Sequence, residues 1–285
     1  VTDESALDEQ RTLWTIGDYP AVARHLCPLS VDALDAAGIV PGTRLLDVGV
    51  GDGNTAIEAA RRGAAVTGID LTPAQLERAR ARAEAEGVAV TLDEGNAEDL
   101  PYPDGEFDLV VSVLGVIFAP DAARAARELA RVCRPGGTVV VVSWAAAGGF
   151  PEVWRRTAGE LLPSVAERMA RGSWGDPVEL ADLLGGGAGG PGGSGRAGGP
   201  GGARLDVVVR PGSFHWRFPS TAGARDFFLA TAGGYITFDE AVAAAGRPGA
   251  VRESLLAAMD EANEATDGTC ALPAPYLLAV GRRPG

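Results

Sequence analysis

Leu45-Leu46-Asp47-Val48-Gly49-Val50-Gly51-Asp52-Gly53, followed by Asp70 at the end of the next apolar run, is the stretch that decides how this chain is read. Thr43 to Val48 is a short strand-like run behind a Pro41-Gly42 turn, and the glycines after it let the chain reverse into a helix beginning near Asn54. A loop of this kind brings bare backbone against a ligand. The second strand, Ala65 to Ile69, delivers Asp70 where a carboxylate accepts hydrogen bonds from ribose hydroxyls, so a ligand carrying a ribose is expected. The third glycine is Gly53, whereas a dinucleotide fingerprint would place it at position 54, which is Asn54.

Composition narrows the classes of partner. The 285 residues, 46% of them hydrophobic, suffice for a large α/β domain with a cap. A formal net charge of −13 repels phosphate backbones and anionic lipid, so neither nucleic acid nor a membrane is expected as partner. No apolar run approaches a membrane span, and Val1-Thr2-Asp3-Glu4-Ser5 lacks the pattern of an export signal, which leads to a cytoplasmic expectation. All 25 basic residues are arginine, which excludes Schiff-base lysine chemistry, pyridoxal phosphate attachment and a lysine-bearing phosphate loop. Cys27, Cys133 and Cys270 are far apart and, with only His25 and His215 beside them, show no metal-ligand spacing, so no metal is expected.

Further landmarks follow in order: Gly95-Asn96-Ala97-Glu98-Asp99-Leu100-Pro101, then Phe107-Asp108-Leu109-Val110-Val111-Ser112, then Glu128 through Arg134-Pro135-Gly136-Gly137. With the glycine loop and Asp70, they make the chain resemble a class I S-adenosylmethionine-dependent methyltransferase of the small-molecule type. The resemblance is specific from Pro41 to Trp144, looser at Trp14 to Pro20, and weak beyond Phe150. It implies S-adenosylmethionine as cofactor and S-adenosylhomocysteine as product. By the same resemblance Gly49 and Gly51 lie under the methionine part, Asp47 braces the loop, Asp70 holds the ribose and Leu71 meets the adenine. Asn96 and Ala97 would address the adenine edge, and Ser112 would lie beside the methionine end. Many relatives carry Asp where this chain has Asn96, whose amide oxygen still accepts a hydrogen bond. The run Ser112-Val113-Leu114-Gly115 lacks the Asn/Asp-Pro-Pro-Tyr signature of enzymes that methylate nucleobase and glutamine amino groups.

The expected architecture is α/β. Strand and helix signals from Thr43 to Trp144 describe a doubly wound parallel sheet, with strands at Thr43–Val48, Ala65–Ile69, Ala89–Asp93, Phe107–Val113 and Thr138–Trp144. Thr72 is expected to cap a helix over Pro73–Glu86, and a helix opened by Pro120-Asp121 is expected to end before Arg134. The resemblance completes a Rossmann-like sheet of seven strands, mostly parallel, with an antiparallel last strand near Tyr276–Gly281 and a helical cap. The domains expected are cap helices over 1–40, a cofactor-binding core over 41–150, and a helical cap segment over 151–184 with a break near Ser173–Pro177. A glycine-rich loop over 185–202, twelve of whose eighteen residues are glycine, is expected to be mobile. Residues 203–285 would hold the last two strands with a helical insertion at 220–263.

For chemistry, His25 and His215 are the only imidazoles and hence the candidate bases. In Phe214-His215-Trp216-Arg217-Phe218, alternation sets the aromatics against His215 and Arg217, so His215 is either a base or a surface residue. His25 is expected on a short helix in the cap. Trp14 and Tyr19 precede the core, where they either close over a bound sulfonium or pack the N-terminal helix. Phe118 and Trp144, at or beyond strand ends, are either substrate contacts at a pocket rim or core. The expected function is methyl transfer to O, N or C of a small-molecule acceptor, with specialised metabolism as the setting. A cyclase or binding protein on the same fold is the alternative, and a nicotinamide-dependent oxidoreductase is disfavoured by Asn54 and the absence of lysine. The oligomeric state is open, with a homodimer as one outcome.

Overall fold

The computed structural model describes residues 4–163, 174–186 and 204–285. Seven strands form one sheet in the order β3-β2-β1-β4-β5-β7-β6. They are β1 (Arg44–Val48), β2 (Ala65–Asp70), β3 (Val90–Glu94), β4 (Phe107–Val113), β5 (Cys133–Trp144), β6 (Asp206–Phe218) and β7 (Cys270–Arg282). The pairs β1/β2, β2/β3, β1/β4 and β4/β5 are parallel, and the last strand, β7, runs antiparallel between β5 and β6. Parallel strands buried on both faces read as continuous apolar runs, and Val110, Val111 and Val139 to Val142 are fully buried. Strand order reverses between β1 and β4, the point at which an open α/β sheet leaves a crevice at its carboxyl edge.

The chain divides into two compact units. A sheet unit comprises 26–143, 173–211 and 277–285, and a helical unit comprises 1–25, 144–172 and 212–276. In the helical unit Ala158, Leu161, Phe238, Val242 and Val251 make a buried cluster, with Trp154, Leu162 and Leu229 against it. All but Leu162, which follows the first of them, come from the helices Gly149–Leu161, Thr221–Thr231, Gly233–Ala244 and Ala250–Ala262.

These units redraw the expected domains at two places. The helix carrying His25 is long, Tyr19–Ala37, and from Leu26 onward it belongs to the sheet unit. There Leu26, Leu29, Ala33 and Leu34 are buried and Ser30 Oγ shares a 2.8 Å hydrogen bond with Thr55 Oγ1. The helix Pro177–Leu184 also joins the sheet unit, because Leu180, Leu183 and Leu184 form a buried stripe at helical spacing. Asp176 caps it, accepting from Val178 N and Glu179 N, while most of the glycine-rich run lies outside the described residues.

Other expected boundaries change for local reasons. Thr72 occupies the N-cap position of Pro73–Ala85, but its hydroxyl makes no capping bond, and its N–H instead donates to Asp70 Oδ1 at 2.9 Å. Strand β5 starts at Cys133 rather than after the Pro-Gly-Gly turn, because Gly136 N donates to Arg283 O and Arg283 N donates to Gly137 O, which draws the turn into the sheet. A side chain at Gly137 would meet Cys133 Sγ at 2.7 Å and Asp108 O at 2.9 Å. The guanidinium of Arg283 donates to the carbonyls of Ala130, Arg131 and Cys133, satisfying the end of the helix Ala122–Val132. Strand β7 begins six residues before Tyr276, the extra length carrying Pro273 and Pro275 in the helical unit.

Candidate functional site

The loop after β1 is held open by its own backbone. Gly49 N and Val50 N both donate to Ile69 O, at 2.8 and 3.0 Å, and Gly51 N donates to Asp70 Oδ2 at 2.9 Å. With Thr72 N on its other oxygen, the Asp70 carboxylate ties β2 to the glycine loop. Gly49 has φ +71°, and a Cβ there would sit 2.8 Å from Gly115 Cα, so the loops after β1 and β4 touch main chain to main chain. Leu114, beside that contact, is the only described residue other than glycine with positive φ, at +56°.

Asp47, on β1 beneath the loop, is buried, and its Oδ2 has no hydrogen-bond partner among the described residues. Loss of water pushes its pKa up to about 7; the Ala56 N–H opposes the shift and the charge of Asp70 adds to it. Burial also raises the Asp70 pKa, against the bonds from Gly51 and Thr72. Ser112 lies near the end of β4. It is fully buried, its Oγ donates to Val48 O at 2.6 Å and accepts from Val116 N at 2.9 Å, so it joins the two loops.

Gly95 N donates to Asp70 O at 3.0 Å, which brings the start of the loop after β3 to the end of β2. Asn96 Oδ1 accepts from Glu98 N at 3.0 Å, an Asx turn that shapes this loop, and Ala97 is half-buried within it. Leu71, following Asp70, is half-buried as well. Sequence reasoning missed the residues that clamp these loops. Arg131 donates to Leu100 O, Tyr102 O, Glu128 and Asp104, Glu128 accepts from Leu100 N, and buried Glu98 accepts from Asp121 N. Arg82 donates to Asp52 O and Asn54 Oδ1 and pairs with Asp52 Oδ2 at 3.0 Å. Glu128 and Arg131 stood within a motif already quoted, whereas nothing in the spacing marked Arg82.

The remaining candidates divide between the units. Phe118 closes the 3₁₀ turn Val116–Phe118 of the sheet unit and is 40% exposed, whereas Trp144, at the end of β5, belongs to the helical unit and is half-buried. Trp14 and Tyr19 pack edge to face, centroids 5.5 Å apart. His25 lies among Trp216, Phe218 and Phe227, with centroids 5.3 to 5.5 Å away, and burial lowers its pKa, helped by Arg24. His215 is partly exposed and its Nε2 lies 3.1 Å from Glu264 Oε2. Among the described residues no three of His, Cys, Asp and Glu cluster as a metal site, and no helix is long and apolar enough to cross a membrane.

Residues 46–141 match the family model of a methyltransferase domain. An uncharacterized protein of Mycobacterium tuberculosis is 43% identical over 187 residues, which is 65% of this chain and 68% of that protein. The demethylmenaquinone methyltransferase of Thermus thermophilus is 38% identical over 135 residues, 46% of this chain and 61% of that enzyme. A Haemonchus contortus N-methyltransferase solved with S-adenosylhomocysteine and phosphomonomethylethanolamine shares the fold with TM-score 0.55 at 19% identity, covering 90% of this chain and 53% of that one. The chain belongs to the class I S-adenosylmethionine-dependent methyltransferases. It is an enzyme of that family, and S-adenosylmethionine is its cofactor.

The site fits that group on its own terms. Asp47 Oδ2 is a buried acceptor with no partner among the described residues, and at Gly49 and Gly51 the backbone carries no side chain.

Proposed function

We propose that this methyltransferase transfers a methyl group to O, N or C of a small, largely apolar acceptor of specialised metabolism, by in-line displacement. The observation that carries the proposal is the aromatic packing of the helical unit. Phe150 and Phe228 lie 4.6 Å apart, Trp154 and Tyr235 4.3 Å apart, and Trp216 packs on both phenylalanines. Within this packing Tyr235 OH and Trp216 Nε1 are buried donors without partners among the described residues, a chemistry suited to an apolar molecule that brings a carbonyl or phenol oxygen. Similarity to an enzyme named for demethylmenaquinone supports an acceptor of this kind. The net charge of −13 argues against nucleic acid and anionic membranes as substrates, and a cytoplasmic setting is part of the same proposal.

Bound S-adenosylmethionine supplies a methyl carbon made electrophilic by its sulfonium. We assign Asp70 to the ribose, the backbone at Gly49 and Gly51 to the methionine part, Leu71 to the adenine face, and Asn96 and Ala97 to its edge. Asp47 offers its unpartnered oxygen to positive charge. Ser112 positions the loops through Val48 and Val116. Holding reactants near attack distance supplies about 7 to 11 kcal/mol, whereas a general base adds about 10²- to 10⁴-fold, so positioning is the main lever. If the acceptor is an unactivated hydroxyl, His25, kept neutral by its aromatic surroundings, is the imidazole suited to take the proton.

Incubation with methyl-labelled cofactor and a panel of aromatic, amine and terpenoid acceptors tests the proposal. Label and the mass of one methyl should appear on a panel member. Failure across the panel by protein that still binds S-adenosylhomocysteine would remove this acceptor class.

A further inference from the structure

Strand β6 ends the sheet order, so one of its sides has no strand neighbour among the described residues. Its first half, Asp206-Val207-Val208-Val209-Arg210, lies within the sheet unit. Strand periodicity sets Asp206, Val208 and Arg210 on one face, and all three are exposed. Val208 is 57% exposed, and neither Asp206 nor Arg210 has an ion pair among the described residues. An open edge with an apolar centre is a template for another strand unless charge or proline blocks it.

The opposite edge is blocked. Strand β3 carries Asp93 and Glu94, and a two-fold about Leu92 would set Val90 against the partner's Glu94 with no charge matched. Strand β6 differs because its charges alternate in sign about its centre. An antiparallel two-fold about Val208 sets Asp206 opposite Arg210 of the partner subunit, Arg210 opposite the partner's Asp206, and Val208 against its own copy. A shift of one residue loses both charge pairs. Pro211, with no N–H to offer, limits the frame to these five residues.

We propose that two copies of this chain associate through the β6 edges, antiparallel about Val208, with reciprocal Asp206–Arg210 pairs. The matched segment is short, so the dimer is concentration-dependent rather than obligate. This interface is separate from the methyl-transfer site, and its test does not depend on the acceptor.

Sedimentation of the full chain at physiological ionic strength, over roughly a hundredfold range of concentration, should show the weight-average mass rising from monomer toward dimer. Arg210→Asp places like charges opposite each other twice and should weaken association about tenfold or more. Asp206→Arg should do the same, and the double variant Asp206→Arg/Arg210→Asp, in which the pairs are reversed but complementary, should restore it. Circular dichroism and S-adenosylhomocysteine binding, unchanged in all variants, would show that each remains folded. A chain that is monomeric throughout, a dimer indifferent to Arg210→Asp, or a folded double variant that fails to recover association would each overturn the proposal.

Discussion

In the sheet unit the carboxylate of Asp70 accepts two backbone N–H groups and the hydroxyl of Ser112 bridges Val48 and Val116. In the helical unit the Tyr235 hydroxyl and the Trp216 indole N–H are buried with no partner among the described residues. The two units also differ in what fills them. Of all the aromatic residues only Tyr102, Phe107, Phe118 and Trp174 belong to the sheet unit, whose core is valine, leucine and alanine. Loops tied together by backbone hydrogen bonds hold one geometry, which suits a cofactor that never changes. Aromatic faces around unspent donors suit a ligand class recognised by bulk and a few polar contacts.

The largest effect should come from breaking the aromatic side of this contrast. Phe228 is 1% exposed and its ring meets Phe150, Trp216, Phe218, Phe227 and Tyr235. Phe228→Ala should destabilise the protein by about 3 to 5 kcal/mol in urea unfolding, because the transfer and cavity terms add. A loss below about 1 kcal/mol would show that the cluster is loosely packed.

Next comes a pH dependence that belongs to the sheet unit. Folded Asp47 holds its proton to about pH 7, while the unfolded chain releases it near the ordinary value of 3.8. Between those values the folded state binds more protons, so this group's contribution to stability falls as pH rises from about 4 to about 7 and is level above that. Relative to Asp47→Asn, the wild type should therefore lose stability over that window, by at most about 4 kcal/mol. Parallel stability curves for the two proteins would mean that Asp47 stays ionised in the fold. Smaller again is Asp70→Ala, which should weaken S-adenosylhomocysteine binding by about 1 to 3 kcal/mol in calorimetry, since charge-assisted hydrogen bonds are lost. Unchanged affinity would remove Asp70 from the ribose.

The same division explains what the sequence disclosed. Strand β4 was readable at both ends because Phe107–Val113, apolar but for Asp108 and Ser112, lies between polar turns, and Gly49 through Asp70 was readable because glycine and carboxylate spacing is set by backbone geometry. The start of β5 was hidden, since Pro135-Gly136-Gly137 reads as a turn until Arg283, almost 150 residues later, supplies its hydrogen-bond partners. The hydrogen bonds of Ser112 were hidden too, because the Val48 carbonyl that holds it comes from a neighbouring strand. The break of the first long helix between two units was equally out of reach, as Leu26, Leu29 and Leu34 look the same whichever unit they fill.

The smallest effect separates the two imidazoles. His25 sits among three aromatic rings, whereas His215 reaches an exposed Glu264 at 3.1 Å, a pairing that solvent screens. His215→Ala should therefore change stability by less than about 1 kcal/mol and leave kcat unaltered. A general base would behave otherwise, since its removal lowers kcat by about 10²- to 10⁴-fold and takes the acidic limb of the pH–rate profile with it. Such a loss on His215→Ala, with cofactor affinity preserved, would move the proton-accepting role from His25 to the surface strand.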